Sequence, residues 1–163
     1  MRNAVSEWVR LGGRRRVLVL AFIALAPCAS AWASLGQGVT SVEDDRVQLQ
    51  GSLAVVATPS HTLHEIQLPT GTVVREFVDA GGTVFAVAWH GPFVPNLRQL
   101  LGSYFPALAE AAQARRPRGP GHRGLLLQTP EFVVEAGGHM RALFGRAYIP
   151  ELVPAGMDRS QLR

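Results

Sequence analysis

Three histidines and two glutamates in the middle of the chain are of the types that bind a metal ion or transfer protons. His61, His64 and His90 could supply imidazole nitrogens to Zn²⁺, and Glu65 or Glu76 could supply a carboxylate as the fourth ligand. Their spacing matches no recognised zinc motif, and His61 and His64 stand where a strand begins, on opposite or diverging faces. Solvated or cross-strand-paired histidines are therefore the favoured interpretation. A metal-dependent or hydrolytic site built from His64, Glu65, Glu76 and His90 is the alternative.

Serine and cysteine, the usual nucleophiles, occur without the partners that nucleophilic catalysis requires. A serine hydrolase needs a base and an oxyanion donor beside the nucleophile, and the chain contains no Gly-x-Ser-x-Gly segment. Ser52, Ser60 and Ser103 lie in turn-like or helix-edge contexts, where a hydroxyl usually caps backbone groups. We therefore predict no catalytic residue, no bound metal and no cofactor.

An arginine-rich stretch is the best candidate for contact with an anionic partner. Arg115, Arg116, Arg118 and Arg123 lie in the segment 115–124, which also holds two prolines and three glycines. Guanidinium groups bind phosphate and carboxylate well, so a polyanion contact is the functional hypothesis. A mobile, solvated connector is the favoured interpretation, because such a composition buries little apolar surface.

The first 33 residues have the pattern of a secretory leader, which would decide where the protein works. Three arginines at 14–16 precede the apolar segment 17–26, Pro27 follows, and alanines at positions 31 and 33 suit a signal peptidase. We predict cleavage after Ala33, a processed chain that begins at Ser34, and export to the periplasm. The apolar segment is shorter than the roughly 20 residues that span a bilayer. Secretion, or tethering by an uncleaved leader, is the alternative.

The leader also carries the whole charge excess and the single cysteine. All 16 basic residues of the chain are arginines, and five of them, but only one of its 12 acids, precede residue 34. The remaining 130 residues hold 11 charges of each sign, so their net charge predicts no nucleic-acid partner. They contain no cysteine, since Cys28 precedes the cleavage position. Their length suffices for one domain without disulfides.

Turn-forming residues divide the segment 41–90 into a short helix and three strands. An acidic first turn, with Gly51 as a left-handed stop, predicts the helix. The strands 62–68, 72–78 and 83–90 are separated by Pro-Thr-Gly and Asp-Ala-Gly-Gly turns, which predicts an antiparallel meander. The third strand is apolar on both faces, as expected of a central strand.

The Pro-Thr-Gly turn predicts the register of the first two strands. Proline followed two residues later by glycine is typical of a type I turn with a glycine bulge. Closing this turn on its flanking residues places Glu65 opposite Arg75 and His64 opposite Glu76. Opposite charges would then meet in both pairs, each contributing about 0.2 to 1 kcal/mol.

An amphipathic helix is expected to cover one face of this sheet. Asn96 can cap its first turn while Gln99 reaches back to the cap, and an apolar stripe follows as far as Leu108. Pro106 should divide the stripe into two short helices.

The C-terminal part predicts further strands, over 125–128, 132–135 and 140–149. The sequence Glu-Ala-Gly-Gly at 135–138 repeats the earlier acid-Ala-Gly-Gly turn and predicts a hairpin that brings Val134 near Met140. Two later prolines end regular structure, and we expect the last residues to be frayed.

Five short segments, taken in order, carry a resemblance to a known family. They are His-Glu-Ile-Gln-Leu-Pro at 64–69, Arg-Glu-Phe at 75–77, Val-Phe-Ala-Val-Ala-Trp at 84–89, Leu-Arg-Gln-Leu-Leu-Gly at 97–102 and Gly-Gly-His-Met-Arg at 137–141. In this order they resemble the exported proteobacterial proteins catalogued as domain of unknown function 2844, over nearly the whole chain after the leader. The resemblance implies export and an α+β domain without an assigned activity, and it transfers no catalytic residue.

The sequence thus predicts a leader, 1–33, and one exported α+β domain, 34–163. In that domain the meander (about 62–90) and the C-terminal hairpin (about 131–149) pack on the helix that starts near Asn96. Its expected work is non-enzymatic binding or scaffolding in the cell envelope. The expected partner is an unidentified envelope protein or ligand, with no nucleic acid and no permanent membrane anchor after cleavage. The alternative is the envelope enzyme defined above.

Overall fold

Seven antiparallel strands in one sheet form the body of the protein in the computed structural model, which describes residues 34–114 and 124–163. The strands are Ser52–Ala57 (β1), Thr62–Gln67 (β2), Val73–Val78 (β3), Val84–Gly91 (β4), Leu125–Gln128 (β5), Val133–His139 (β6) and Ala142–Tyr148 (β7). The helices are Thr40–Gln48 (α1), Leu97–Leu101 (α2) and Phe105–Ala114 (α3), with single 3-10 turns at Gly102–Tyr104, Pro150–Leu152 and Arg159–Gln161. The strand order is β1-β2-β3-β4-β7-β6-β5, which confirms the predicted α+β class.

The meander has four strands, one more than the sequence predicted. The additional strand, β1, is an edge strand whose residues are mostly exposed, so its sequence lacks a clear alternation of apolar and polar residues. The predicted register of β2 and β3 is confirmed: Glu65 lies opposite Arg75 and His64 opposite Glu76. The turn between them closes as predicted, with Gly71 at a φ of 84°.

The central position of β4 is also confirmed, since its first six residues are buried and it pairs on one side with β3 and on the other with β7. The pairing with β7 joins the meander to the C-terminal hairpin and places Trp89 opposite Gly145. A Cβ atom on Gly145 would overlap the ring of Trp89. Glycine is therefore required where these two strands pack most closely.

The sheet has two differently covered faces. The helix face packs against α1, α2 and α3, and the C-terminal face packs against the segment that follows β7. Large buried side chains of the helix-face core are Val42, Ile66, Val74, Val87, Trp89, Leu100, Leu101, Leu108 and Val134. Those of the C-terminal face are Phe77, Phe85, Tyr148 and Leu162.

The prediction that the apolar stripe after Asn96 forms two short helices is confirmed, but the predicted break at Pro106 is wrong. The side chain of Asn96 accepts a hydrogen bond from the backbone N–H of Gln99 at 3.4 Å, which caps α2. The break lies at Gly102, with a φ of 46°, and Pro106 falls in the first turn of α3, where a missing N–H leaves no bond unmade. Among the helices that the structure describes, none combines the length and apolar character needed to cross a bilayer.

The prediction for the end of α1 is wrong in its detail. Gln50 rather than Gly51 adopts the left-handed conformation, with a φ of 54°. Gly51 instead lies against Ile66, where a Cβ atom would overlap the isoleucine side chain. The glycine is thus explained by the close approach of the chain entering β1 to β2, not by the stop of the helix.

The prediction that Val134 lies near Met140 is also wrong. β6 continues through Gly137 and Gly138, Val134 lies opposite Ala147, and the hairpin turns at Met140. The Glu-Ala-Gly-Gly segment therefore lies in a strand, although the similar segment at 79–82 forms a turn, because pairing with β7 continues beyond the two glycines.

The last residues are not frayed, contrary to expectation. Leu162 is wholly buried against the C-terminal face, and Arg159 places its guanidinium 5.7 Å from the centre of the Tyr148 ring. Asp158 caps the last 3-10 turn through the backbone N–H of Ser160 at 2.8 Å. The C-terminal segment is therefore an integral layer of the fold.

Candidate functional site

The four residues that the sequence analysis nominated for enzymatic chemistry lie on two faces of the sheet. His64 and Glu76 are buried on the helix face as register partners. Glu65 follows His64 directly, so its side chain points to the opposite face, where it accepts a hydrogen bond from Arg75 at 2.8 Å. His90 is exposed on that same C-terminal face. The sheet therefore separates His64 and Glu76 from Glu65 and His90.

His61 is held apart from the other two histidines. It lies in the turn between β1 and β2, where its Nδ1 is 3.0 Å from the hydroxyls of Thr58 and Ser60. Its ring centre is 5.5 Å from that of Phe77. Within 34–114 and 124–163, no group of three or more His, Cys, Asp or Glu residues is arranged to hold a metal ion.

The predicted charge pairing is confirmed for Glu65 and Arg75 but is wrong for His64 and Glu76. In the described part of the chain, neither Nδ1 of His64 nor either carboxyl oxygen of Glu76 has a hydrogen-bond partner. Burial lowers the pKa of His64 and raises the pKa of Glu76 well above its ordinary value. Both shifts favour the uncharged forms, because the interior stabilises charge poorly.

Glu76 belongs to a buried polar group that we name the carboxyl cluster: Ser34, Asp45, Glu76 and Gln99. None of the four is more than 3% exposed, although they come from the segment before α1, from α1, from β3 and from α2. Gln99 donates a hydrogen bond from Nε2 to Oδ1 of Asp45 at 2.6 Å. The prediction that Gln99 reaches back to its own cap is therefore wrong, since its side chain joins two helices instead.

The carboxyl cluster has too few hydrogen-bond donors for its carboxyl oxygens. Burial raises the pKa of Asp45, against the effect of its hydrogen bond from Gln99. Burial and the nearby Asp45 carboxyl raise the pKa of Glu76. Oδ2 of Asp45 and both oxygens of Glu76 lack a hydrogen-bond donor among the described residues. One shared proton would satisfy such a pair, whereas two unpaired negative charges would be costly to bury.

The opposite face of the sheet carries an open cleft of about 620 Å³, which we name the arginine cleft. Arg75, Ala88 and Arg146 stand side by side on β3, β4 and β7. Arg75 forms an ion pair with Glu65 and Arg146 forms one with Glu135, both at 2.8 Å. The cleft is lined by Arg75, Trp89, His90, Glu135, Phe144, Gly145, Arg146, Ser160, Leu162 and Arg163.

The C-terminal segment forms one wall of the arginine cleft. Nη1 of Arg75 donates a hydrogen bond to the backbone oxygen of Arg163 at 2.7 Å. Nη1 of Arg146 donates one to the backbone oxygen of Arg159 at 2.6 Å. Each arginine therefore binds a carboxylate of the sheet and a backbone oxygen of the segment, and the buried Leu162 lies between these two attachments.

The cleft combines guanidinium groups with an exposed aromatic ring. Phe144 is 57% exposed, which is unusual for a phenylalanine in the middle of a strand. His90 and Ser160 add groups that form hydrogen bonds. A concave site with an apolar wall and a few oriented polar groups is typical of ligand-binding clefts.

Neither site was found by sequence analysis. In the sequence Asp45 reads as part of the acidic first turn of the predicted helix and Gln99 as part of a capping box, and the contact between them joins residues 54 positions apart. One usable signal existed, because Glu76 alternates with Val74 and Val78 and so falls on the apolar face of β3.

The remaining predicted functional residues cannot be placed. Arg115, Arg116, Arg118 and Arg123, suggested for contact with a polyanion, lie outside the described residues. The predicted cleavage position after Ala33 lies at the border of the described chain, with Ser34 just inside it.

Comparison with known proteins identifies a family but no activity. A family model described as "Protein of unknown function (DUF2844)" matches residues 31–162. No curated protein and no solved structure matches the chain.

Proposed function

The chain belongs to the DUF2844 family of proteins of unknown function, and on that premise we propose that it is an exported, non-enzymatic domain that binds a ligand or partner in the cell envelope. The arginine cleft carries the proposal. It is open and concave, and it holds two arginines beside an exposed phenylalanine. The proposed ligand has an anionic group for Arg75 or Arg146 and an apolar part for Phe144.

Charge around the cleft supports an anionic ligand. The residues that the structure describes carry seven arginines against 11 Asp and Glu, so the described body is acidic as a whole. Three of those seven arginines, Arg75, Arg146 and Arg163, line the cleft, whereas Glu135 is the single acid in its lining. Counting Glu65, which pairs with Arg75 beside the cleft, this face holds three arginines to two glutamates. A small local excess of positive charge on an acidic body favours anions at this face.

Binding of small probes tests the cleft directly. The processed protein, labelled with ¹⁵N, is titrated with phenylacetate and with the neutral phenylacetamide, and NMR shifts are followed at His90, Gly145 and Ser160. We expect phenylacetate to bind more tightly than phenylacetamide. Arg146→Gln should weaken phenylacetate binding about tenfold or more, because a hydrogen bond to a charged group is lost. Arg98→Gln, at an arginine stacked on Phe105 in the helical layer, is the matched control and should change nothing.

Export is tested separately from binding. The full chain is expressed with its leader in a Gram-negative host, and protein from the periplasmic fraction is examined by intact-mass spectrometry. Cleavage after Ala33 predicts Ser34 as the first residue. Protein that retains Met1 in the cytosolic fraction would refute the export step.

In the binding experiment, NMR shifts of equal size for phenylacetate and phenylacetamide would refute anion binding by the cleft.

The rival enzyme function has a defined test of its own. Hydrolysis of an envelope substrate that is lost on His64→Ala or Glu76→Ala, with the fold retained, would overturn the non-enzymatic proposal. The separation of these residues from Glu65 and His90 by the sheet argues against one active centre formed by all four.

A further inference from the structure

A prediction from the sequence and an observation from the structure both concern Ser34. The pattern of the leader predicts that cleavage after Ala33 makes Ser34 the first residue of the processed chain. The structure places Ser34 with no exposed surface, beside the incompletely bonded carboxyls of Asp45 and Glu76. A new chain terminus would therefore arise inside the carboxyl cluster.

We propose that the α-ammonium group of Ser34, released by cleavage after Ala33, binds the carboxyls of Asp45 and Glu76 and completes the core of the processed protein. The inference rests on the cleavage step of the proposed function. It adds a role for cleavage besides release of the leader: the newly formed amino group becomes the charge partner of a buried acidic pair.

Geometry supports a fixed position for this amino group. The backbone nitrogen of Ser34 is three bonds from its hydroxyl oxygen and therefore within about 4 Å of it. That hydroxyl donates a hydrogen bond to the backbone oxygen of Leu100 at 3.4 Å, and Leu100 directly follows Gln99, whose side chain binds Asp45. The next two residues are anchored by hydrogen bonds from Leu35 N–H to the same oxygen, at 3.1 Å, and from Gly36 N–H to Val84, at 2.8 Å.

Charge balance explains why an ammonium group fits. Before cleavage the Ser34 nitrogen is an uncharged amide with one N–H, and Glu76 has no donor for either oxygen. An ammonium group offers three N–H donors and a positive charge, so it neutralises a pair of carboxyls that shares one proton. Without it, ionisation of both carboxyls would leave two uncompensated charges in the core.

No other cation in the described ranges takes this role. The three ion pairs there join Arg46 to Glu43, Arg75 to Glu65 and Arg146 to Glu135. The groups near Glu76 are the Asp45 carboxyl from α1, His64 from β2 and the apolar Val87 from β4. Gln99 from α2, which binds Asp45, is uncharged. Burial lowers the pKa of His64, which disfavours a positive charge on its ring.

The absence of lysine allows the α-amino group to be tested on its own. The chain contains no lysine, so the α-amino group is the one primary amine of the processed protein. Full-length protein is expressed with its leader, recovered from the periplasm, and checked by intact mass for a start at Ser34. Acylation by sulfo-N-hydroxysuccinimidyl acetate at pH 7.5 is then followed by mass spectrometry, in native protein and in denaturant.

We expect native protein to react at least about tenfold more slowly than denatured protein, because each unit of rise in an amine pKa removes about nine-tenths of the reactive neutral form. Glu76→Gln and Asp45→Asn preserve side-chain size and should restore much of the reactivity. Glu65→Gln, on the other face of the sheet, is the control and should leave the native rate unchanged.

The outcomes separate the possible failures. Equal native and denatured rates, or native protection that survives in both Glu76→Gln and Asp45→Asn, would overturn the inference while leaving export and cleft binding intact. A periplasmic chain that begins at a residue other than Ser34 would overturn the cleavage step and the inference together. Should one variant fail to fold, the other and the wild-type rates still decide the question.

Discussion

Glu76→Gln should stabilise the protein increasingly as pH rises, provided that no ammonium group reaches the carboxyl cluster. For this test, protein that begins at Ser34 is acetylated at its α-amino group in denaturant and refolded, which leaves the Ser34 nitrogen as an uncharged amide. In that form the wholly buried Glu76 carboxyl keeps its proton in the folded state at pH values where the unfolded chain has released it. Glutamine has the same size and no proton to lose.

The sign and size of this change in the free energy of unfolding follow from proton linkage. Folded protein binds more protons than unfolded protein between the ordinary glutamate pKa, about 4.5, and the raised pKa of Glu76, so its free energy of unfolding falls as pH rises. The loss is about 1.4 kcal/mol for each pH unit. The difference between Glu76→Gln and wild type should grow at that rate from pH 5.5 and level off at the pKa of Glu76. Burial lowers the pKa of His61 and His64, so these two residues make the free energy of unfolding rise with pH. Both proteins contain them, so their contribution largely cancels when Glu76→Gln is compared with wild type.

Urea denaturation followed by tryptophan fluorescence at half-unit pH steps measures this difference, since Trp89 is buried in the helix-face core. The control is Glu65→Gln, which removes a partly exposed ion pair worth about 0 to 1 kcal/mol and should give a difference that does not grow above pH 5.5. A constant difference for Glu76→Gln above pH 5.5 would show that Glu76 is already ionised in the folded protein. The assignment of a shared proton to the carboxyl cluster would then be wrong.

Three further substitutions test the packing described above. Gly145→Ala should cost about 1 to 3 kcal/mol of unfolding free energy in urea denaturation, because its Cβ overlaps the ring of Trp89; an unchanged midpoint would contradict the close approach of β4 and β7. Leu162→Ala should lose about 2 to 5 kcal/mol of local or global stability and speed tryptic cleavage after Arg159, and unchanged cleavage would mean that the buried leucine does not hold the C-terminal segment. Asn96→Ala should cost about 1 kcal/mol by removing the cap of α2, with Asn96→Asp as a variant that retains the cap.

Local signals predicted the meander well because its turns specify strand pairing. The Pro-Thr-Gly turn sets which residues of β2 and β3 face each other, and Glu65 and Arg75 are of opposite charge as that register requires. The same reasoning failed at Gly137 and Gly138, where the pairing of β6 with β7 overrides the turn preference of two glycines. Turn composition alone did not distinguish these two cases.

Contacts between distant segments could not be predicted from one sequence. The carboxyl cluster requires that α1, α2 and β3 meet, and nothing in the spacing of Asp45, Glu76 and Gln99 indicates that they do. The C-terminal segment lacks periodicity and reads as frayed, yet two arginines from β3 and β7 attach it to the sheet. In both places side chains from separate elements decide the local structure.

The position of β4 has a consequence for the order in which the chain folds. Its two neighbours are β3, which immediately precedes it, and β7, which begins only at Ala142. Until that distant strand has emerged from the ribosome, the most apolar strand of the protein has an open edge, and contacts of such long sequence separation form slowly. A growing chain therefore keeps this edge open until residues 142–148 have been made, and its central strand is exposed to aggregation during that interval.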